Sequence, residues 1–165
     1  MNKTIQWVGA QCALAIIVAC ISIGFAEPSE AACTPDPALN GDAVTCTGVD
    51  ADGFKTRSQN VSLYVDSTAN VSRVQIEAYS TITNDGIIEY DGTYHYNAVN
   101  AESYDNTIIN NNIIATRTTS NSSHISGIRL NARNTVINLG TIIASETGPT
   151  GQAFGIWGSG SSNTI

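Results

Sequence analysis

Charge is the scarcest property of this chain. Only 13% of its 165 residues are Asp, Glu, Lys or Arg, against roughly 25% in an ordinary globular domain. Long surface helices normally carry Glu, Lys and Arg, so the scarcity disfavours a helical protein. Basic residues are the rarer sign, 7 against 14 acidic ones, and they form no cluster. A net charge of −7 with no basic patch to neutralise phosphates excludes nucleic acid as a partner, and the acidity itself serves solubility. Catalytic signatures are missing too. There is no Gly-x-Ser-x-Gly, no His-Glu-x-x-His and no phosphate loop.

Asn, Thr, Ser and Gly supply the polarity that charge does not, a mixture suited to β-strands and tight turns. They are organised into a recurring stretch. Asn134-Thr135-Val136-Ile137-Asn138-Leu139-Gly140-Thr141-Ile142 has counterparts at Asn106–Ile114 and Ser80–Ile88, and a partial copy at Asn163-Thr164-Ile165. The threonines Thr81, Thr107, Thr135 and Thr164 mark its beginnings at nearly constant intervals. A period of that length, within the range of roughly 20–50 residues, is the mark of a stacked-repeat protein.

Each copy reads as strand, bend, strand, and the stretches before the copies at Asn134 and Asn163 (Ser126–Leu130, Phe154–Gly158) supply a third strand. Three short strands make about one turn of a parallel β-helix, with coils ~4.8 Å apart and aliphatic side chains piled inside. Asn84, Asn110 and Asn138 align at one corner, where their amides are expected to hydrogen-bond along the stack. Two residues on stand Gly86, Asn112 and Gly140. Glycine and asparagine best tolerate positive φ, so these three are expected to hold left-handed backbone. An antiparallel sandwich with Asn/Gly hairpins is the rival architecture, but it does not explain a nine-residue stretch recurring in phase.

Residues 1–31 read differently. Lys3 precedes the apolar run Val8–Phe25, and small-residue exits follow at Ala26 and Ala31. This is the pattern of a helical signal peptide cleaved after Ala26 or Ala31. A retained anchor is the alternative, because the run approaches the ~20 residues that cross a bilayer. Residues 32–58 then form an N-terminal cap in which Cys33 and Cys46, an even pair in an exported chain, are expected to be disulfide-bonded. Asp50-x-Asp52-Gly53 has the opening of a calcium loop without its remaining ligands and reads as a surface turn. From 59 to 165 the chain is expected to be β-helix repeats, cut off at the C-terminus.

The pattern Gly-Ile-x-x-x-Gly-Ser-x-x-Asn-Thr-Ile followed by x-Asn-x-Gly-x-Ile, with Cys46–Phe54 shortly after a signal peptide, resembles the passenger repeats of bacterial autotransporters. That resemblance implies a right-handed parallel β-helix at the surface of a Gram-negative cell or secreted from it. It also implies an outer-membrane β-barrel translocator in the full-length protein; the alternating ~10-residue segments of a barrel are not found in these residues.

No catalytic, cofactor-binding or metal-binding residue is expected here. His95 and His124 lie about one repeat apart, within reach of Asp91 or Glu102 on neighbouring coils, but in polar loop sequence that suits exposed or structural side chains. Arg73, Arg117, Arg129 and Arg133 would serve a polysaccharide-cleaving site only by converging on one face. The expected function is therefore a non-enzymatic surface scaffold acting in adhesion or aggregation. Tyr90, Tyr94, Tyr96 and Tyr104 are its candidate contacts to glycans or neighbouring cells. The alternative is a carbohydrate-active β-helix, lyase or hydrolase, whose catalytic coil lies outside these residues.

Overall fold

The computed structural model describes residues 33–165 except 95, 120–123 and 150. The expected signal peptide, residues 1–31, and His95 lie outside the described residues. Everything described is strand, turn or irregular chain, arranged in coils of three strands. The first coil contains β2 (Ala43–Cys46), β3 (Val49–Asp50) and β4 (Phe54–Lys55), preceded by β1 (Cys33–Thr34). The second has β5 (Ser62–Val65), β6 (Asn70–Val71) and β7 (Val74–Gln75). The third has β8 (Thr81–Asn84), β9 (Ile87–Gly92) and β10 (Val99–Ala101). The fourth has β11 (Thr107–Asn110), β12 (Ile113–Thr118) and β13 (Ile125–Leu130), and the fifth β14 (Thr135–Asn138), β15 (Thr141–Glu146) and β16 (Ala153–Gly158).

Corresponding strands pair across coils into three sheets: β1-β2-β5-β8-β11-β14, β3-β6-β9-β12-β15 and β4-β7-β10-β13-β16. All pairings are parallel except β1 with β2. The described part of the protein is thus all-β with parallel sheets, in the stacked arrangement of a β-solenoid. Thr81, Thr107, Thr135 and Thr164 stand in one register line, so the spacing of the recurring stretch is the length of one coil. The first two coils, from Ala43 to its partner Ser62 and from Ser62 to its partner Thr81, are shorter than those that follow. The first coil lies inside the segment expected to be a cap. Only β1, antiparallel to β2 and tied to it by the Cys33–Cys46 disulfide, departs from the solenoid pattern.

Alternation fixes the interior, because a strand sends successive side chains to opposite faces. In the first sheet Val44, Leu63, Ile82, Ile108 and Val136 form one inward column. In the third, Phe54, Val74, Val99, Ile128 and Ile156 form another. In the second, Val71, Ile88, Ile114 and Ile142 stack above Asp50. The first four members of the Val44 and Phe54 columns, with Val71, Ile88 and Ile114, are at most 2% exposed, and each such burial stabilises by about 1.5–3 kcal/mol.

One inward column of the first sheet changes character along the stack. Cys46 and Val65 occupy it in the first two coils, and Asn84, Asn110 and Asn138 in the next three. Asn84 Nδ2 donates to Asn110 Oδ1 at 2.8 Å, and Asn110 Nδ2 to Asn138 Oδ1 at 2.8 Å. The same amides donate to corner carbonyls, Asn84 to Ile113 O at 3.0 Å and Asn110 to Thr141 O at 3.2 Å. Asn84 Oδ1 faces the coil of Val65, which offers no donor, and has no hydrogen-bond partner.

The left-handed backbone expected at Gly86, Asn112 and Gly140 is not there: none of the three has positive φ. What the glycines provide is room. A Cβ on Gly140 would stand 2.6 Å from Asn112 N, and one on Gly86 2.6 Å from Ala69 O. Among the other glycines Gly41, Gly48 and Gly53 have positive φ, Gly48 at the first coil's corner between β2 and β3. The non-glycine residues with positive φ sit at the corner before the first sheet instead, at Asn60, Tyr79, Asp105, Arg133 and Ser162.

A second ladder follows directly on those residues. Asn106 Oδ1 accepts the N–H of Ser80 at 2.9 Å, Asn134 Oδ1 that of Asn106 at 2.9 Å, and Asn163 Oδ1 that of Asn134 at 2.8 Å. Ser80 Oγ plays the same part for the N–H of Val61 at 3.1 Å. A left-handed residue turns the next N–H along the stack, out of reach of the sheet ladder, and the side chain one coil on satisfies it.

Candidate functional site

Interior positions are occupied by stacking side chains, so any recognition falls to the outer faces and the corners. The outer face of the third sheet is the most distinctive. Its central column runs Lys55, Gln75, Asn100, Arg129 and Trp157, one residue per coil. These point outward because Phe54, Val74, Val99, Ile128 and Ile156 beside them point inward. Arg73 precedes Gln75 by two residues and shares its face; its Nη2 donates to Gln75 Oε1 at 3.1 Å, and its guanidinium lies over the Tyr96 ring, 4.1 Å from the centroid. Arg129 lies over Trp157 at 5.0 Å and has Glu102 Oε1 2.9 Å from its Nε, off the line of a hydrogen bond. His124 stacks on Phe154 and Trp157 with ring centroids 6.0 and 6.1 Å away.

At the middle of that column Asn100 is only 8% exposed, and its Oδ1 accepts no hydrogen bond. Arg73 Nε is likewise without an acceptor. A buried polar group left unpaired costs about 1–3 kcal/mol. At the foot of the face a hollow of about 460 Å³ is bordered by Pro37, Lys55 and Arg57.

The tyrosines separate into two groups. Tyr96 meets Tyr90 edge-on, ring centroids 5.5 Å apart, and Tyr94 at 6.1 Å. Tyr104 belongs elsewhere, edge-on to Tyr79 at 5.4 Å and under the Arg133 guanidinium at 5.0 Å. Arg133 also holds Asp105 in two hydrogen bonds of 2.9 and 2.8 Å. Those hydrogen bonds hold the Asp105 carboxyl below the usual aspartate range.

The four arginines do not converge. Arg73 and Arg129 share the third sheet, Arg117 pairs with Glu89 on the second, and Arg133 occupies the left-handed corner. A hollow of about 340 Å³ on the second sheet has Asn70, Ser72, Glu89 and Asp91 on its walls. Among the described residues no group of three His, Cys, Asp or Glu side chains is placed to hold a metal ion.

Asp50 and Asp52 do not act as a pair of outward ligands. Asp50 turns into the core at 5% exposure, and its Oδ1 accepts the Gly53 N–H at 2.8 Å. Its Oδ2 lies 3.2 Å from Cys33 Sγ. A disulfide sulfur carries no proton, so a hydrogen bond there has to come from the carboxyl O–H. Burial raises the Asp50 pKa, against the Gly53 hydrogen bond that lowers it, and the neighbouring Asp52 adds to the rise.

Sequence reasoning passed over Gln75, Asn100 and Trp157. The signal was present: Asn100, Arg129 and Trp157 follow one another at the spacing of a single coil. Compared with known protein families, curated proteins and solved structures, the chain matches none of them.

Proposed function

We propose that this chain belongs to an autotransporter-like passenger, exported across the inner membrane of a Gram-negative bacterium and displayed at the outer-membrane surface or secreted. In this reading it is a non-enzymatic scaffold for adhesion or aggregation, whose partners are glycans or neighbouring cell surfaces. An outer-membrane β-barrel in the full-length protein serves as its translocator. The observation that carries the reading is the outer surface. Along the first sheet Ser62, Thr81, Thr107 and Thr135 form one outward column of hydroxyls in register, and Tyr79, Tyr94, Tyr96 and Tyr104 at neighbouring corners and loops are each at least 38% exposed. Amides, hydroxyls and exposed aromatic rings are the groups that contact sugars without turning them over. Right-handed winding is supported by the strong preference of parallel strand connections for that hand.

Bacteria carrying the gene and an isogenic deletion, compared in settling and surface-attachment assays, test the role; the deletion strain is expected to aggregate and attach less. Depolymerisation of a polysaccharide by the full-length protein, abolished by one Asp or Arg substitution, would overturn the non-enzymatic reading in favour of a carbohydrate-active β-helix.

A further inference from the structure

Cations are not spread evenly over this solenoid. The described residues contain six Lys and Arg side chains, and four of them, Lys55, Arg57, Arg73 and Arg129, lie on or beside the strands of the third sheet. Glu77 and Glu102, just past β7 and β10, are the carboxylates that oppose them along the column, in a protein whose net charge is −7. The face is therefore a positive stripe on a negative body. It runs along the stack, so its groups repeat every ~4.8 Å.

Its chemistry is mixed in a particular way. Gln75 stands between the cations and offers an amide donor and acceptor, while Asn100 in the next coil is buried beneath the face. Tyr96 and Trp157 lie against the guanidinium planes of Arg73 and Arg129 and hold them. An arginine already fixed by stacking loses less freedom when it grips a carboxylate than a free lysine does. Only four cations over five coils is too sparse for a nucleic acid, which carries a charge at every phosphate.

Resting on the scaffold reading above, we infer that the outer face of the third sheet binds an extended carboxylated polysaccharide laid along the stack. Its carboxylates meet Arg73 and Arg129, and its hydroxyls meet the Gln75 amide. Glu102, 48% exposed at its side chain, occupies Arg129 in the free protein and is displaced by the incoming carboxylate.

The test uses the full chain and three soluble probes: oligogalacturonate, dextran of matched length and poly-glutamate. Titration calorimetry is expected to give saturable oligogalacturonate binding that weakens with added salt, with much weaker binding to the other two. Arg129→Ala and Trp157→Ala, checked for unchanged thermal midpoints, are each expected to loosen it about tenfold, the scale of one charge-assisted hydrogen bond. Glu102→Gln is expected to tighten it roughly threefold, because an exposed competing ion pair is removed. Arg117→Ala, on the second sheet, leaves it unchanged.

Absence of binding overturns the inference, as do equal binding to dextran or poly-glutamate, an equal loss in Arg117→Ala, or a Glu102→Gln variant that binds no better. Cells that still aggregate through a chain indifferent to oligogalacturonate would keep the scaffold role and remove this ligand. A chain that binds it on cells that neither aggregate nor attach would do the reverse.

Discussion

The side-chain oxygen of Asn134 accepts the backbone N–H of Asn106, one coil below, at 2.9 Å, while the N–H of Asn134 donates to Asn163 Oδ1 at 2.8 Å. Both Asn106 and Asn134 are at most 1% exposed, so water cannot replace either bond. Asn134→Ala strands the Asn106 N–H and is expected to cost about 1–3 kcal/mol. Asn138→Ala acts on the exposed end of the other ladder and is expected to cost less, about 0.5–1 kcal/mol. Urea unfolding of the two variants checks the order; equal losses would mean that the buried N–H finds another partner.

Gly86 and Gly140, at the corner between the first and second sheets, answer to space rather than to φ, unlike Gly48 at the same corner of the first coil. Gly140→Ala places a methyl group against the backbone of Asn112 and is expected to cost about 1–3 kcal/mol, the range for overpacking. Gly155→Ala meets nothing nearer than Ile142 Cγ2 at 3.8 Å and is expected to be neutral or slightly stabilising. Thermal midpoints distinguish the two. Similar midpoints would show that the corner yields easily.

Asp50 makes stability depend on pH in the direction opposite to most carboxylates. Its folded pKa is raised, by burial first, so the folded state binds the proton more tightly than the unfolded chain. The contribution is complete below the ordinary aspartate pKa of about 4 and is lost as pH rises through the folded value. Asp66 and Asp105, lowered by the Thr68 N–H and by Arg133, lose theirs as pH falls. The difference between wild type and Asp50→Asn isolates the first effect. The variant is expected to be the more stable at pH 7, with its advantage shrinking toward pH 3. A difference that does not change with pH would mean that folding leaves the Asp50 pKa unshifted.

The Cys33–Cys46 bond closes a sequence separation of 13 residues and fastens β1 across the edge of β2. A loop of this size corresponds to about 3 kcal/mol of restricted unfolded chain. The double substitution Cys33→Ser with Cys46→Ser is expected to lower the urea midpoint accordingly. No shift would place the stability of the first coil in its packing alone.

Strand register was legible from the sequence because a parallel stack forces like residues into columns, and Thr81, Thr107, Thr135 and Thr164 kept the phase from coil to coil. The second coil fell within the span expected to be repeats, but the first did not, and the register of neither was legible, since their shorter period carries no asparagine at the ladder positions: Cys46 and Val65 stand there. Gly86 and Gly140 misled because glycine answers two needs, positive φ and lack of room, and spacing alone does not separate them. The true left-handed residues, among them Tyr79 and Arg133, share no chemistry, so nothing in their type announced them. The outer face of the third sheet stayed hidden for a similar reason. Alternation identifies an inward column by its uniformity, whereas Lys55, Gln75, Asn100, Arg129 and Trp157 have only position in common.

The asparagine ladder of the left-handed corner has a direction. Every link runs from a backbone N–H to a side chain found later in the sequence: Ser80 waits for Asn106, Asn106 for Asn134, and Asn134 for Asn163. A coil is therefore chemically incomplete until its successor arrives. For a chain that emerges amino end first, the order of emergence and the order of completion coincide, and each new turn closes the one before it.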